Sequence, residues 1–271
     1  MDESPSVLTA VGRTAVAVAL ARALESERPQ PWFDDRLAQG LARYVNEARQ
    51  ADNIDPPRIR DGLRDWVAVR TRFLDELLLD AVAAGDRQIV VVGAGLDARA
   101  FRLPLGPDVV FFEVDRTDVV AVKERMVAAS GLKAQGSRRM LVGDVTDPGW
   151  LVALAEAGLR EELPTVWVLE GFLVYFEPEV RTRLLQDLAS ASAPGSRLGA
   201  TVSTRGHDPA RPLWHAFAGV DFVEWFAECG WDASVTTMGE RSLAYGRALT
   251  EGDVEHRSGV LVDARRSASP L

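Results

Sequence analysis

Two glycines and an aspartate have the spacing of sites that bind a nucleoside. Gly93 and Gly95 follow the short apolar run Gln88–Val92, and Asp115 lies twenty positions after Gly95, at the end of the next apolar run. Glycines at the end of a strand let the backbone approach a ligand closely, while a carboxylate on the next strand accepts hydrogen bonds from both hydroxyls of a ribose. The pattern therefore predicts a cofactor that contains adenosine.

Further acids help to distinguish two classes of adenosine cofactor. Asp144 ends the third predicted strand and supplies an acceptor for the adenine amino group, with Val145 available for the ring edge. The glycine loop also satisfies the relaxed dinucleotide fingerprint, so spacing alone does not exclude NAD. Asp97, however, would oppose the pyrophosphate of NAD, whereas S-adenosylmethionine carries cationic sulfonium and ammonium groups. The charges thus favour S-adenosylmethionine.

These residues lie at the ends of predicted strands. Short β-branched or apolar runs predict strands, and runs with helical spacing predict the helices between them. The predicted strands are Gln88–Val92, Val109–Val114, Met140–Val142, Val166–Leu169, Leu198–Val202 and Gly259–Ala264. The predicted helices are Val7–Glu27, Asp34–Ala48, Gly62–Ala84, Val119–Ala129, Trp150–Ala157, Glu179–Ser192 and Asp221–Cys229. This alternation predicts an α/β fold, a doubly wound parallel sheet with helices on both faces.

The composition restricts the number of domains and the class of partner. The 271 residues, 47% of them hydrophobic, suffice for one domain with a large core. A formal net charge of -9 disfavours nucleic acid and anionic membranes as partners, so a small-molecule or protein substrate is expected. Cys229 is the only cysteine, which is typical of a cytoplasmic protein without disulfides. The histidines lack metal-ligand spacing, and no run is long and apolar enough to span a membrane, so neither a metal nor a membrane is expected.

Several longer segments resemble one protein family. They include Val11-Gly12-Arg13-Thr14-Ala15, Val69-Arg70-Thr71-Arg72-Phe73-Leu74-Asp75, Gly93 to Arg102, Glu113-Val114-Asp115, Gly143-Asp144-Val145 and Glu170-Gly171-Phe172-Leu173-Val174-Tyr175-Phe176. Together with shorter matches, these segments extend over nearly the whole chain. They resemble the leucine carboxyl methyltransferase superfamily, in particular its bacterial branch of O-methyltransferases, which includes enzymes of polyketide tailoring.

The resemblance implies a Rossmann-like methyltransferase sheet of about seven strands, the last of them antiparallel. The sequence also predicts a single domain with three parts. These are a helical cap over residues 4–84, a core over 85–203 and 248–264, and a late lid insertion over 204–247. The ligand of such a sheet binds at the carboxyl ends of its strands.

The resemblance also assigns roles to individual residues. Arg70 would pair with the methionine carboxylate of S-adenosylmethionine, and Glu170 would face the ammonium group. Asp115 would hold the ribose, while Asp144 and Val145 would meet the adenine. The complete set of implied cofactor-binding residues is Arg70, Gly93, Gly95, Asp115, Asp144, Val145 and Glu170.

Three of these assignments have alternatives. Arg72 is the rival of Arg70, because residues two positions apart on a helix do not share a face, and Arg70 is preferred. Glu170 follows an apolar strand and would alternatively form a buried structural pair with an arginine. Asp97 and Arg99 would either serve the site or only cap a helix.

The implied reaction transfers a methyl group to an oxygen of a small molecule, for which a carboxylate of a polyketide-type acid or another secondary metabolite is preferred. A carboxylate is already ionised at neutral pH and needs no general base. A phenol is the alternative acceptor and requires a base, for which His207 and His215 are the candidates. An NAD-dependent oxidoreductase and a non-catalytic cofactor-binding regulator are the remaining alternatives.

Overall fold

A single mixed sheet forms the centre of the molecule. The computed structural model describes residues 10–43, 61–203, 219–249 and 259–266, together with His215 and Phe217. Within these residues seven strands lie in the order β3-β2-β1-β4-β5-β7-β6. In chain order they are β1 (Gln88–Val92), β2 (Val110–Asp115), β3 (Ser137–Val142), β4 (Thr165–Glu170), β5 (Arg197–Ser203), β6 (Trp231–Thr237) and β7 (Gly259–Arg266). The first five strands pair in parallel, while β7 is antiparallel to both of its neighbours. The predicted fold class is therefore confirmed.

Helices cover both faces of this sheet. They are α1 (Ala10–Ser26), α2 (residues 36–43), α3 (Asp61–Ala84), α4 (Arg99–Arg102), α5 (Thr117–Ser130), α6 (Trp150–Glu156), α7 (Pro178–Ser190), α8 (Phe222–Glu228) and α9 (Met238–Ala244). One apolar cluster joins α6, α7 and α8 to one face, and a second joins α3, α4 and α9 to the other. No helix in the described parts of the chain is long and apolar enough to cross a membrane.

The strand order places a crevice between β1 and β4. From β1 the chain winds outward through β2 and β3, and it then returns to β4 and winds outward in the other direction. Every residue of β1 is buried, as are the first five of β4, which explains why both strands are short, apolar runs in the sequence. Loops that leave neighbouring strands in opposite directions open a ligand crevice at their carboxyl ends.

Helix α3 packs directly on the sheet and is part of the core, not of a separate cap. The sequence assigned residues 4–84 to a cap outside the core, but α3 packs against β4, β5 and β7. Its buried residues Val67, Leu74 and Leu78 lie in the same apolar cluster as Ile89 of β1. The described residues that lie on top of this core are those of α1 and α2, with α1 packed on α3.

The predicted lid also contains part of the sheet. Residues 204–247 were expected to form a lid, yet β6 is the edge strand of the sheet, and α8 packs against it. The strand was missed because its sequence, Trp-Asp-Ala-Ser-Val-Thr-Thr, is mostly polar, and most of its residues are exposed or half-buried at the edge. Residues 204–214, where much of the predicted lid falls, lie outside the described part of the chain.

Candidate functional site

A cavity of about 810 Å³ lies at the carboxyl ends of β1, β2, β3 and β4. Helices α1 and α3 contribute Thr14, Ala15 and Trp66 to its wall. The volume is within the range of sites that enclose a cofactor-sized ligand. The sequence-predicted site residues that line the cavity are Arg70, Gly93, Gly95, Asp115, Asp144, Val145, Glu170 and His215.

The glycine loop after β1 is held tightly against β2. The amides of Gly93 and Ala94 both donate to the carbonyl of Val114. Gly93 and Gly95 have positive φ angles of 66° and 51°, a conformation that favours glycine. A Cβ on Gly93 would collide with the ring of Phe172, which follows β4. The loop therefore presents bare backbone to the cavity, as the spacing predicts.

Asp115 connects this loop to the end of β2. Its Oδ2 accepts the N–H of Gly95 at 2.5 Å, and its Oδ1 accepts the N–H of Arg116 at 2.7 Å. Burial raises the pKa of the carboxyl group, although the two backbone hydrogen bonds act against this rise. Each oxygen retains a lone pair, so the carboxylate can accept two further hydrogen bonds from a pair of hydroxyls.

Asp144 and Val145 lie on the loop after β3, at one end of the cavity. Asp144 is exposed, and its Oδ1 accepts both the N–H and the hydroxyl of Thr146. These two hydrogen bonds hold the pKa of Asp144 below its usual value. Val145 is half-buried against the core cluster. The pair thus offers a polar acceptor beside an apolar surface.

Arg70 has a partly unused guanidinium group. The side chain is buried, its Nε donates to Oε1 of Glu170 at 2.8 Å, and its Cζ lies 4.2 Å from the ring centre of Trp66. Burial lowers the pKa of Arg70, while Glu170 acts against that shift. Within the described residues neither Nη atom has a hydrogen-bond partner, so this edge remains available for an anion.

Glu170 is shared between two arginines. Its Oε1 contacts Arg70, and its Oε2 lies 2.6 Å from Nη1 of Arg99, which is buried. Burial alone would raise the pKa of Glu170, but Arg99 and Arg70 hold it below its usual value. The alternative that the sequence left open, a buried pair with an arginine, is what the structure contains. Any role of Glu170 toward a bound ammonium group must coexist with this pair.

Asp97 and Arg99 form a structural ion pair. Oδ1 of Asp97 accepts the N–H of Arg99, and the two side chains contact each other directly. Burial would raise the pKa of Asp97, but Arg99 and then Lys123 lower it to about 2. The carboxylate lines the cavity with its charge largely compensated. The sequence argument that Asp97 repels a pyrophosphate is therefore weaker than expected.

Arg72 lies away from the cavity. Its Nε donates to Glu76 at 3.0 Å, and its guanidinium lies 4.0 Å from the ring of Tyr245. Since Arg70 lines the cavity and Arg72 does not, the structure agrees with the preference for Arg70.

The comparison with known proteins identifies the family. Residues 15–189 match the model of the leucine carboxyl methyltransferase family. The chain belongs to this family. A relative from Frankia alni is 37% identical over 95% of this chain and 96% of its own length, and one from Streptomyces avermitilis is 36% identical over 94% and 95%. Both relatives are named as S-adenosyl-L-methionine-dependent methyltransferases. The resemblance predicted from the sequence is confirmed.

Solved structures agree with the methyltransferase fold. A methyltransferase structure from Thermobifida fusca superposes with a TM-score of 0.60 at 18% identity, covering 93% of this chain and 94% of that one. A DUF574 family protein of Streptomyces avermitilis superposes with a TM-score of 0.61 at 14% identity, covering 94% of this chain and 97% of that one. At these identities the likeness concerns the fold alone.

One of the two candidate bases of this leucine carboxyl methyltransferase family member lies at the cavity. The backbone N–H of His215 donates to the carbonyl of Val174, and its Nδ1 lies 3.2 Å from Oε2 of Glu177. His207 lies outside the described residues. Where the structure describes the chain, it contains no cluster of three or more side chains suited to hold a metal ion.

The sequence did not predict the aromatic part of the cavity wall. This part consists of Trp66, Phe172, Tyr175 and Phe176. Trp66 was interpreted as one of the apolar residues of a helix, and Phe172, Tyr175 and Phe176 were noted only within the segment that resembles the family. Their positions in the sequence do not show which of these side chains face a ligand, because that depends on how α3 crosses the end of β4.

Proposed function

We propose that this family member transfers a methyl group from S-adenosylmethionine to a carboxylate oxygen of a small molecule. The observation that carries the proposal is the cavity at the β1–β4 crevice, which collects the loop glycines, Asp115, Asp144 and the free edge of Arg70 around one volume. The membership in a carboxyl methyltransferase family supports the same chemistry. The names of the relatives support S-adenosylmethionine as the methyl donor.

The residues present fit S-adenosylmethionine. Asp115 can accept hydrogen bonds from two ribose hydroxyls, and Gly95, whose N–H it accepts, has no side chain that would block them. Asp144 with Val145 suits an adenine edge, and the free Nη edge of Arg70 suits an amino-acid carboxylate. Gly171 assists Arg70, because a Cβ there would lie only 2.7 Å from Nη1 of the guanidinium. These polar groups therefore match the ribose, the adenine and the amino-acid carboxylate of the cofactor.

Catalysis in this site depends on alignment and on exclusion of water. S-adenosylmethionine supplies a methyl group on a positively charged sulfur, which is displaced by the acceptor oxygen. The chain's own part is to fix the amino-acid end with Arg70, to fix the ribose with Asp115, and to enclose the acceptor between Trp66 and Phe172. Since a carboxylate is ionised at neutral pH, no proton has to be removed. A general base is then unnecessary.

A phenol is the second candidate acceptor. His215 and Glu177 form a pair at the cavity wall, and a histidine oriented by a carboxylate is a common general base. If this pair removes a proton from the acceptor, the rate constant at saturation rises with pH through the titration of the base. For a carboxylate acceptor it stays nearly flat between about pH 6 and 9.

Calorimetry and product analysis test these proposals in sequence. Titration with S-adenosylmethionine, S-adenosylhomocysteine and NAD comes first, and we expect binding of the first two only. Binding of NAD alone would support the oxidoreductase alternative, and binding without turnover of any acceptor would support the regulator.

Turnover is then measured with S-adenosylmethionine labelled in its methyl group and a series of aromatic and aliphatic carboxylic acids, with the matching amides and phenols as controls. A methyl ester releases the label as methanol in mild alkali, whereas an aryl ether does not. If phenols instead give a labelled product that resists alkali, at a rate that rises with pH, the acceptor is a phenol and not a carboxylate.

A further inference from the structure

We propose that His215, held by Glu177, binds the carboxylate of the acceptor, and that the acceptor is an apolar acid with an aromatic or similarly flat body. This inference rests on the proposed carboxyl methylation and specifies how the acceptor is recognised. It assigns His215 the role of a cationic binding group and not that of a base.

The geometry of His215 suits a fixed cation. Its backbone is anchored by the hydrogen bond from its N–H to the carbonyl of Val174, in the 3-10 turn Leu173–Tyr175 that follows β4. Its Nδ1 faces Oε2 of Glu177 at 3.2 Å, at the start of α7. A histidine that carries protons on both ring nitrogens donates from both, so with Nδ1 beside Glu177 the nitrogen left to meet a ligand is Nε2. The side chain is half-buried in the wall of the cavity.

The other cations of the cavity wall have different functions. Within the described lining, the arginines are Arg22, Arg70 and Arg116. Arg22 is buried and donates to Asp35 and to the carbonyl of Leu96. Arg116 is exposed, follows Asp115 directly, and contributes to lowering the pKa of Asp144, so it belongs to the adenosine end. Arg70 is assigned to the cofactor, which leaves His215 to compensate the charge of an acceptor.

The surroundings of His215 specify the body of the acceptor. The wall beside the 3-10 turn consists of Phe172, Tyr175 and Phe176, and Trp66 of α3 adds a further ring. The rings of Phe172 and Phe176 contact each other edge to face at 4.9 Å. Aromatic walls bind flat apolar surfaces well, while they offer few partners to a polar chain. The acceptor is therefore an apolar acid whose carboxylate is directed at His215.

Several charged or titratable groups lie beside His215 or in the wall of the same cavity. Glu177, which directly precedes α7, is in contact with His215, and Glu179 and Arg181 follow on α7. Tyr175 of the 3-10 turn lines the same cavity as His215, as do Arg70 of α3 and Glu170 of β4, which pair with each other. Arg181 is not among the residues that line the cavity, and its Cζ lies 3.6 Å from the ring centre of Phe217. If His215 binds as a cation, affinity for an anionic acceptor falls as pH rises through the histidine range, about pH 5 to 8. A general base would instead make the rate constant at saturation rise with pH.

Binding of a matched pair of probes tests this inference. 2-Naphthoate and the neutral 2-naphthamide are titrated by calorimetry into protein saturated with S-adenosylhomocysteine. At pH 6 we expect naphthoate to bind at least about tenfold more tightly than naphthamide, and this advantage to fall about tenfold by pH 8.5. His215→Gln should abolish the advantage at both pH values. His215→Lys should retain it at both, because lysine stays protonated up to about pH 10.

The variants at Glu177 separate its effect from general surface charge. Glu177→Gln should reduce the naphthoate advantage at pH 7, while Glu179→Gln, an exposed glutamate two positions further on, should leave it unchanged. Equal affinity for the two probes at pH 6, an unchanged advantage in His215→Gln, or no advantage in His215→Lys would overturn the inference. Failure of the parent protein to bind S-adenosylhomocysteine would instead contradict the proposed function. The two failures are therefore distinguishable.

Discussion

Asp115 is the residue whose proposed role can be tested most directly. Its two oxygens already accept backbone N–H groups, and their remaining lone pairs are proposed to accept the ribose hydroxyls. We expect Asp115→Ala to weaken binding of S-adenosylmethionine by roughly 1 to 3 kcal/mol in calorimetry, because the hydroxyls lose a charged acceptor. Asp108→Ala, at an exposed position two residues before β2, is the matched control. Unchanged affinity in Asp115→Ala would show that the ribose lies elsewhere.

Arg70 allows a test that distinguishes binding from folding. Only the amino-acid part of the cofactor carries a carboxylate, so Arg70→Ala should weaken binding of S-adenosylmethionine and leave binding of adenosine nearly unchanged. The expected loss is about 1.5 to 3 kcal/mol, the typical contribution of a hydrogen bond to a charged group. Arg72→Ala should affect neither ligand, because Arg72 pairs with Glu76 outside the cavity. An equal loss for both ligands in Arg70→Ala would indicate a disturbed fold.

The sequence predicted the site residues that follow a characteristic spacing, but it did not predict which residues form ion pairs with one another. Gly93, Gly95 and Asp115 follow from the order of strand, loop and strand, which the sequence displays directly. The pairing of Glu170 with Arg70 and Arg99 brings together residues about a hundred and about seventy positions apart. Such pairs depend on how α3 and α4 cross the end of β4, and a single sequence does not contain that information.

Two helices are joined by one buried carboxylate. Asp75 of α3 accepts hydrogen bonds from Nε of Arg99 and from both Nη atoms of Arg102 at 2.5 to 2.8 Å. Removal of one partner from a buried ion pair leaves charge uncompensated, at a typical cost of about 3 to 5 kcal/mol. We therefore expect Asp75→Asn to lower the free energy of unfolding by about that amount in urea titrations. Asp34→Asn, which breaks an exposed pair with Arg36, should cost less than about 1 kcal/mol. Similar small losses in both variants would show that the α3–α4 junction tolerates the unpaired arginines.

Elements in the centre of the sheet were predicted better than those at its edges. The buried strands β1 and β4 are continuous apolar runs, and their predicted bounds differ from the observed ones by no more than one residue at either end. The first half of β3 and all of β6 were missed, because both are edge strands with polar, partly exposed residues. The hydrophobic pattern of a sequence reports which residues are buried, so it does not reveal a strand that has few buried residues.

The connection between the cofactor cavity and the far edge of the sheet can be measured through the only cysteine of the chain. Cys229 is fully buried at the end of α8, and burial raises the pKa of its thiol to about 12. Thiol reagents attack the thiolate, so the native protein should react only after it opens. In the unfolded chain the thiol is accessible and ionises near its ordinary pKa of about 8.5. The rate of labelling by a disulfide reagent therefore reports the population of open molecules.

A ligand that binds the folded state lowers this population even when it binds far from Cys229. The cavity lies at β1 and β4, whereas Cys229 lies beside β6 at the edge, so slower labelling requires that both regions unfold together. We expect S-adenosylmethionine at a free concentration of 100 times its Kd to slow labelling about 100-fold, equivalent to about 2.7 kcal/mol. Asp115→Ala should need a proportionally higher concentration for the same effect. If calorimetry shows binding while the labelling rate stays constant, α8 and β6 open as an independent unit, and the edge of the sheet does not contribute to the stability that the cofactor provides.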